Sequence, residues 1–313
     1  MSTTETWTIG RLLTWTTDYL KQHGSESPRL DAEVLLAESR DCKRIELYTA
    51  FDTVADDKTR AAFRELVRRR AEGAPVAYLV GRREFFSLSF RVTPDVLIPR
   101  PETELLVIRL LDLAKSLPSS PGRGTGGEGE ELSNANPRLL RIADVGAGSG
   151  IIAICAAKQV KNARVTAIDR SSAALAIAQK NASDHGATDQ IEFVESDLFT
   201  AVDSNARFHI IASNPPYVSE AEFAKLPHTV RDFEPRQALV AGPVGTEVIE
   251  RLIAQSAEKL EPAGWLLIEV SPMIEPAVRH LISNHASLEL QPTIKDLANL
   301  PRIVQAKKLP ADT

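Results

Sequence analysis

The sequence predicts a two-part α/β chain, a small helical bundle followed by a mostly parallel, seven-stranded sheet with helices on both faces. Three observations carry this. Up to about residue 72 apolar residues recur at helical spacing, from Glu84 to Val92 they alternate, and after residue 138 short apolar strands take turns with helices. The expected domains are a helical bundle over 1–78, a β-hairpin connector over 79–101 and an α/β domain over 102–313.

In the bundle, "SPRLDAEVLLAES" puts Leu30, Val34, Leu35 and Ala37 on one side, and "KTRAAFRELVRRRAEG" does the same with Phe63, Leu66 and Val67. Gly24 and Gly73 stand where helices would stop. Arg68, Arg69 and Arg70 read as a solvated last helical turn that complements the dipole, with contact to an acidic partner as the alternative. The alternation in "EFFSLSFRV" predicts a half-buried strand or hairpin with Phe86, Leu88, Phe90 and Val92 on one face. Pro99 and Pro101 then fix the approach to an amphipathic helix in "ETELLVIRLLDLA", whose first turn is acidic. Residues 116–137, rich in Gly, Ser, Pro and Glu without apolar period, read as a flexible surface insertion.

Beyond the insertion, strands are expected near 139–145, 164–168, 191–194, 208–212, 264–270, 287–291 and 302–307, the last two as an antiparallel edge. Helices are expected near 150–159, 171–185, 243–260 and 274–284. Such a sheet binds ligands at the carboxyl ends of its strands, where the winding reverses.

Composition narrows the function classes. The 313 residues are 43% hydrophobic and 25% charged with a net charge of −5, which disfavours nonspecific affinity for nucleic acid and leaves room for a local basic patch. Cys42 and Cys155 are too few for a disulfide framework or a cysteine zinc site, and the six histidines lack metal-ligand spacing, so no metal is expected. The start "MSTTETWTIG" has no basic or apolar leader pattern, and no run approaches the roughly 20 apolar residues of a membrane span, so a cytoplasmic protein with no membrane partner is expected.

Chemistry concentrates at strand ends. In "LLRIADVGAGSGIIAICAA" the stretch Gly146, Ala147, Gly148, Ser149 and Gly150 follows a strand and opens a helix, so the backbone can approach a ligand closely. The spacing differs from the dinucleotide fingerprint, and Asp144 would repel a pyrophosphate but suit a cationic aminoacyl-sulfonium. Asp169, ending the second strand, stands where a carboxylate accepts ribose hydroxyls; Asp197 and Leu198, ending the third, can accept from an adenine amino group and pack on its ring. Each acid alone also reads as a surface or capping residue.

The fourth strand ends in "IIASNPPYVSE". The Asn214 side-chain carbonyl and the Pro215 backbone carbonyl are two acceptors held by rigid prolines, suited to an NH2 group, and Tyr217 can stack on a planar target. The alternative is a strand-exit turn in which Asn214 caps the next helix. The residues leave open whether the NH2 belongs to a nucleobase or an amide.

These segments together resemble class I S-adenosylmethionine-dependent methyltransferases, and more closely the HemK/PrmC family, which methylates the glutamine of the Gly-Gly-Gln motif in peptide-chain release factors. The resemblance covers nearly the whole chain, through "SPRLDAEVLLAE", "GRREFFSLSFRVTPDVLIPRPETELLV", "ADVGAGSG", "AIDRS", "SDLF", "SNPPYVS" and "RDFEPRQALVAGPVG". It implies a Rossmann-like seven-stranded sheet and a substrate-recognising N-terminal domain. It implies that Gly146 to Gly150 bind the methionine part of S-adenosyl-L-methionine, Asp169 the ribose, and Asp197 with Leu198 the adenine. Asn214 would meet cofactor and substrate, with Pro215, Pro216 and Tyr217 completing a glutamine pocket; Asn214, Pro215 and Tyr217 are the catalytic expectation. Arg100 and Glu102 either border the site or form a structural ion pair. Val270 and Ser271 after Glu269, and the insertion, depart from the family pattern.

The expected activity is methyl transfer to a release-factor glutamine nitrogen by a monomer without direct nucleic-acid contact, leaving S-adenosyl-L-homocysteine. Alternatives are a DNA or RNA exocyclic-amine methyltransferase and a noncatalytic cofactor-sensing binding protein. A nicotinamide oxidoreductase is disfavoured by the glycine spacing.

Overall fold

The computed structural model describes residues 6–117 and 139–310. The chain divides into two compact units, Met1–Arg82 with Val92–Pro94 and Leu226–Glu234, and Arg83–Arg91 with Asp95–Lys225 and Pro235–Thr313. Of the insertion expected at 116–137, Ser116 closes a helix, and residues 118–137 lie outside the described residues.

The first unit holds α1 (Ile9–Gln22), α2 (Pro28–Ser39), α3 (Arg44–Thr49), α4 (Asp57–Ala71) and α5 (Val76–Val80). Side-chain caps start two of them: Thr8 accepts from the Arg11 amide at 3.3 Å, and Asp56 from the Thr59 amide at 2.7 Å. Ile9, Leu13, Leu35, Leu36, Phe63 and Val67 belong to its core. The face expected of α2 is only partly right. Leu35 and Ala37 are buried, but Leu30 is 44% exposed, and Asp31, Ala32, Glu33 and Leu36 turn inward. The two acids tolerate this because each is paired, Asp31 with Arg70 at 2.8 Å and Glu33 with Arg29 and Arg44 at 2.7 Å. Of the arginines closing α4, Arg68 pairs on the exposed surface with Glu65 at 2.6 Å and Glu72 at 2.5 Å.

The second unit begins with the hairpin of β1 (Arg82–Phe85) and β2 (Leu88–Arg91), apart from Arg82 itself. Its two connecting residues, Phe86 and Ser87, both have positive φ, +50° and +59°, which matches the right-handed twist of the paired strands. This corrects the expected face: Phe86 is in the turn, and the buried rings are Phe85 and Phe90, edge to face with centroids 6.2 Å apart.

After α6 (Thr103–Ser116) come β3 (Leu140–Val145), α7 (Ile151–Gln159), β4 (Ala163–Asp169), α8 (Ser172–Asp184), β5 (Ile191–Glu195) and β6 (Phe208–Ser213). Short elements follow: β7 (Val218–Ser219), α9 (Glu220–Phe223), α10 (His228–Arg231, part of the first unit), α11 (Arg236–Leu239) and β8 (Val240–Gly242), with β7 and β8 paired in parallel. The chain ends with α12 (Glu247–Lys259), β9 (Leu260–Glu269), α13 (Glu275–Ser283), β10 (Leu288–Leu290), β11 (Ile294–Lys295) and β12 (Pro301–Lys308). All seven expected strands form one sheet in the order β10-β12-β9-β6-β3-β4-β5, and β11 adds an unforeseen short pairing to β12.

Neighbours from β9 to β5 are parallel, while β12 and β10 are antiparallel, as expected for the late pair. Parallel strands covered on both faces need continuous apolar runs, and β6 has every residue buried. One core contains Ile142, Ile154 and Leu110, the other Ile211, Leu252 and Val304. Winding leaves β3 towards β4 and β5, then returns to its other side with β6, which puts the switch point between β3 and β6.

Candidate active site

A cavity of about 280 Å³ lies in the second unit, its wall built from residues that follow β3, β4, β5 and β6. Gly146, Ala147, Gly148, Ser149, Asp169, Asp197, Leu198, Asn214 and Pro216 line it; Gly150, Pro215 and Tyr217 do not. Most of the expected residues thus meet in one place.

The turn after β3 departs from ordinary L-residue conformations, with φ of +77°, +54° and +82° at Gly146, Gly148 and Gly150. Among the described residues a Cβ on Gly148 would meet nothing within 4 Å, so the turn leaves open space for a ligand at its backbone. Gly150 serves packing instead: its Cβ would lie 3.1 Å from Ala178 Cβ and Ile154 Cδ1. Asn181, which the sequence did not single out, holds the turn from below. It is fully buried, donates from Nδ2 to the Ser149 carbonyl at 2.8 Å and accepts from the Arg91 amide at 2.8 Å.

Asp169 accepts from the Gly148 amide at Oδ2 (2.8 Å) and from the Ser171 amide at Oδ1 (2.9 Å). Burial pushes this carboxyl up, with the two amides opposing. A carboxylate offers about four acceptor sites, so the amides leave capacity for ribose hydroxyls. The open glycine turn and this acceptor fit an S-adenosylmethionine-like cofactor.

Asp197 lies on the wall, and its Oδ2 is paired with Arg251 at 2.6 Å, both side chains about half exposed. Leu198 has φ +54° and is buried; a leucine in the left-handed region is a strained placement of the kind that collects at ligand sites. Asp144, read from sequence as facing the cofactor, does not reach the wall. It is fully buried, its Oδ2 accepts from the Ala153 amide at 2.9 Å, and its Oδ1 has no hydrogen-bond partner among the described residues. Burial raises its pKa to about 7, with the Asp169 charge adding to this. Being second-last in β3, it points into the layer beneath the turn instead of above it.

Asn214 follows β6 directly, and Ser213 anchors that strand end by donating from Oγ to the Val145 carbonyl at 2.6 Å. The Asn214 backbone oxygen stands 3.9 Å from where a Gly146 Cβ would be, so the Asn-Pro-Pro corner adjoins the glycine turn. The Asn214 amide donates from Nδ2 to Thr103 Oγ1 at 3.2 Å. Thr103 is itself fully buried and lines the wall. Pro215 is buried, while Tyr217 is partly buried and packs on the core that includes Ile211 and Val270. Burial raises the Tyr217 pKa, with the Glu269 charge next in effect. Arg100 borders the cavity, and Glu102 lies 3.7 Å from Arg302. Thr103, Arg251 and Gln237 also line the wall and were missed; Thr103 sits within the "IPRPETE" connector and Gln237 within "FEPRQAL", whereas nothing local marks Arg251.

Two family models match the chain, the PrmC N-terminal domain over residues 11–81 and the methyltransferase small domain over residues 130–230. The release factor glutamine methyltransferase of Rhodopirellula baltica is 48% identical over 302 residues, which span 96% of this chain and 97% of the relative. Those of Koribacter versatilis and Geobacter sulfurreducens are each 38% identical, over 93% and 85% of this chain and 95% and 85% of their own lengths. Among solved structures, the hMettl16 catalytic domain shares the fold with a TM-score of 0.52 at 17% identity, over 80% of this chain and 84% of that one. With such identity across nearly its full length, the chain belongs to the release factor glutamine methyltransferase family.

Proposed function

We propose that this protein transfers a methyl group from S-adenosyl-L-methionine to the side-chain amide nitrogen of the Gly-Gly-Gln glutamine in peptide-chain release factors, modulating translation termination. The observation that carries the reading is the placement of Asn214 on the same cavity wall as the glycine turn and Asp169. The resemblance to named release factor glutamine methyltransferases narrows the NH2-bearing target from base to glutamine.

Asp169 and the turn from Gly146 to Ser149 would hold the cofactor, with Asp197 and Leu198 at the adenine end. When bound, the cofactor supplies a methyl group on a positively charged sulfur, an electrophile. The protein's share is to bind and orient a poor nucleophile, whose lone pair is delocalised over the amide. Asn214 Oδ1, with Nδ2 engaged by Thr103, accepts one N–H of the target, and the Pro215 carbonyl would accept the other. Pro215 and Pro216 keep that corner rigid, and Tyr217 would cover the amide plane. The new bond is N–CH3, the broken one S–CH3, and the nitrogen's surplus proton passes to solvent, which requires no strong base. A monomer acting without direct nucleic-acid contact fits this scheme.

Incubation with purified release factor and isotope-labelled cofactor tests it, with mass spectrometry locating the label. Label on the Gly-Gly-Gln glutamine is the expected result. Label on DNA or RNA alone, or tight cofactor binding with no product in a single turnover, would overturn it.

A further inference from the structure

Asp197 stands on the cavity wall just past β5, and the backbone around it is tied down. The Ser196 amide donates to the Asp169 carbonyl at 2.9 Å, the Thr200 hydroxyl donates to the Asp197 carbonyl at 2.9 Å, and the Phe199 amide donates to Gln255 Oε1 at 2.9 Å. Leu198 among them is buried at φ +54°. These bonds fix the chain but leave the side-chain torsions of Asp197 free to turn.

A helix distant in sequence settles them. Val248, Arg251 and Gln255 recur at helical spacing on α12; the first two line the cavity, and Arg251 Nη2 donates to Asp197 Oδ2 at 2.6 Å. Both side chains of this pair are about half exposed, and an ion pair so placed adds little to stability. Its effect lies in orientation. A carboxylate has two oxygens with about four acceptor sites, and Arg251 occupies Oδ2. Among the described residues no hydrogen bond reaches Oδ1, which is left to a ligand or to water.

An aminopurine edge presents an N–H donor where an oxopurine edge presents an acceptor. A carboxylate free to rotate accepts from the first, and it also turns away from the second into solvent or towards the neighbouring ring N–H. Rejection of the oxo base therefore depends on the carboxylate being held, so that its repulsion of the oxo group is not relieved.

We propose that Arg251 is a positioning residue: by pairing with Asp197 Oδ2 it sets that carboxylate to take the amino group of adenine, and so makes the site select a 6-amino over a 6-oxo purine cofactor. This rests on the reading of Asp197 as the adenine acceptor.

Calorimetry on the full chain with S-adenosyl-L-homocysteine and its 6-oxo counterpart, S-inosyl-L-homocysteine, tests it. The wild type should bind the 6-amino ligand at least ~30-fold more tightly. Arg251→Ala should lower that ratio ~5- to 10-fold by admitting the 6-oxo ligand, and Arg251→Lys should recover part of it, with urea midpoints unchanged. Asp197→Ala should lower the ratio too, and adding Arg251→Ala to it should change the ratio less than about twofold, because the guanidinium acts through the carboxylate. A ratio unchanged in Arg251→Ala would overturn the role of Arg251 while leaving Asp197 as the adenine acceptor. A fall that is equal with and without Asp197 would overturn it as well. A ratio that Asp197→Ala leaves untouched would overturn both assignments. The titrations use no release factor, so they read the adenine end apart from methyl transfer.

Discussion

The Gly148 amide donates to Asp169 Oδ2 at 2.8 Å, so the carboxylate expected to hold a ribose also braces the glycine turn. Asp169→Ala should therefore do two things. It should weaken S-adenosylmethionine binding about 10- to 100-fold by calorimetry, and lower unfolding free energy by ~1 kcal/mol by removing the acceptor of two partly buried amides. Unchanged affinity would remove Asp169 from the cofactor site.

The glycines of the turn separate by function. Gly148→Ala puts a methyl group into open space, so its cost to stability should be about 1 kcal/mol from the positive φ, with a larger loss of cofactor affinity. Gly150→Ala drives a methyl group against Ala178 and Ile154 at 3.1 Å, so it should cost ~1–3 kcal/mol of stability. Denaturant melts and cofactor titration on both variants check the contrast.

Asn214→Ala should lower methyl transfer to release factor by ~100-fold or more while cofactor affinity changes less than about threefold, because the side chain acts on the nucleophile. Single-turnover assays beside calorimetry measure the two quantities. Near wild-type transfer would refute the clamp.

Asp144 makes stability depend on pH in a definite direction. Its pKa is about 7 in the folded chain, above the ordinary carboxylate value near 4. Folded protein thus holds a proton that the unfolded chain releases between those values. The contribution is fully present below about pH 4 and is lost as pH rises through about 7, at no more than about 1.4 kcal/mol per pH unit. Asp144→Asn should flatten that part of the curve, which urea unfolding at pH 5, 6 and 7 would show as a difference between variant and wild type. A constant difference across the three would count against a buried protonated acid here.

Much of this was written locally in the chain. Each of the seven strands shows as a short apolar or alternating run, the turn from Gly146 to Gly150 as glycines between strand and helix, and the corner at Asn214 as prolines ending β6. All are signals within one or two elements, where backbone periodicity and the limits of proline and glycine speak directly. Other features depended on partners far away. Which face of α2 is buried turned on Arg70 and Arg44 reaching Asp31 and Glu33. The hairpin register turned on Phe86 and Ser87 adopting positive φ, which neither residue type signals.

By itself, then, the sequence determined the α/β order, the strand ends that bear the chemistry, and the family motifs around them. Only the tertiary structure decided how those side chains are held. Thr103 meets Asn214 across 111 residues, Arg251 meets Asp197 across 54, and Asp144 drops beneath the turn that it precedes. Packing brings such pairs together, and the burial that comes with it sets both their charge and the direction of their hydrogen bonds.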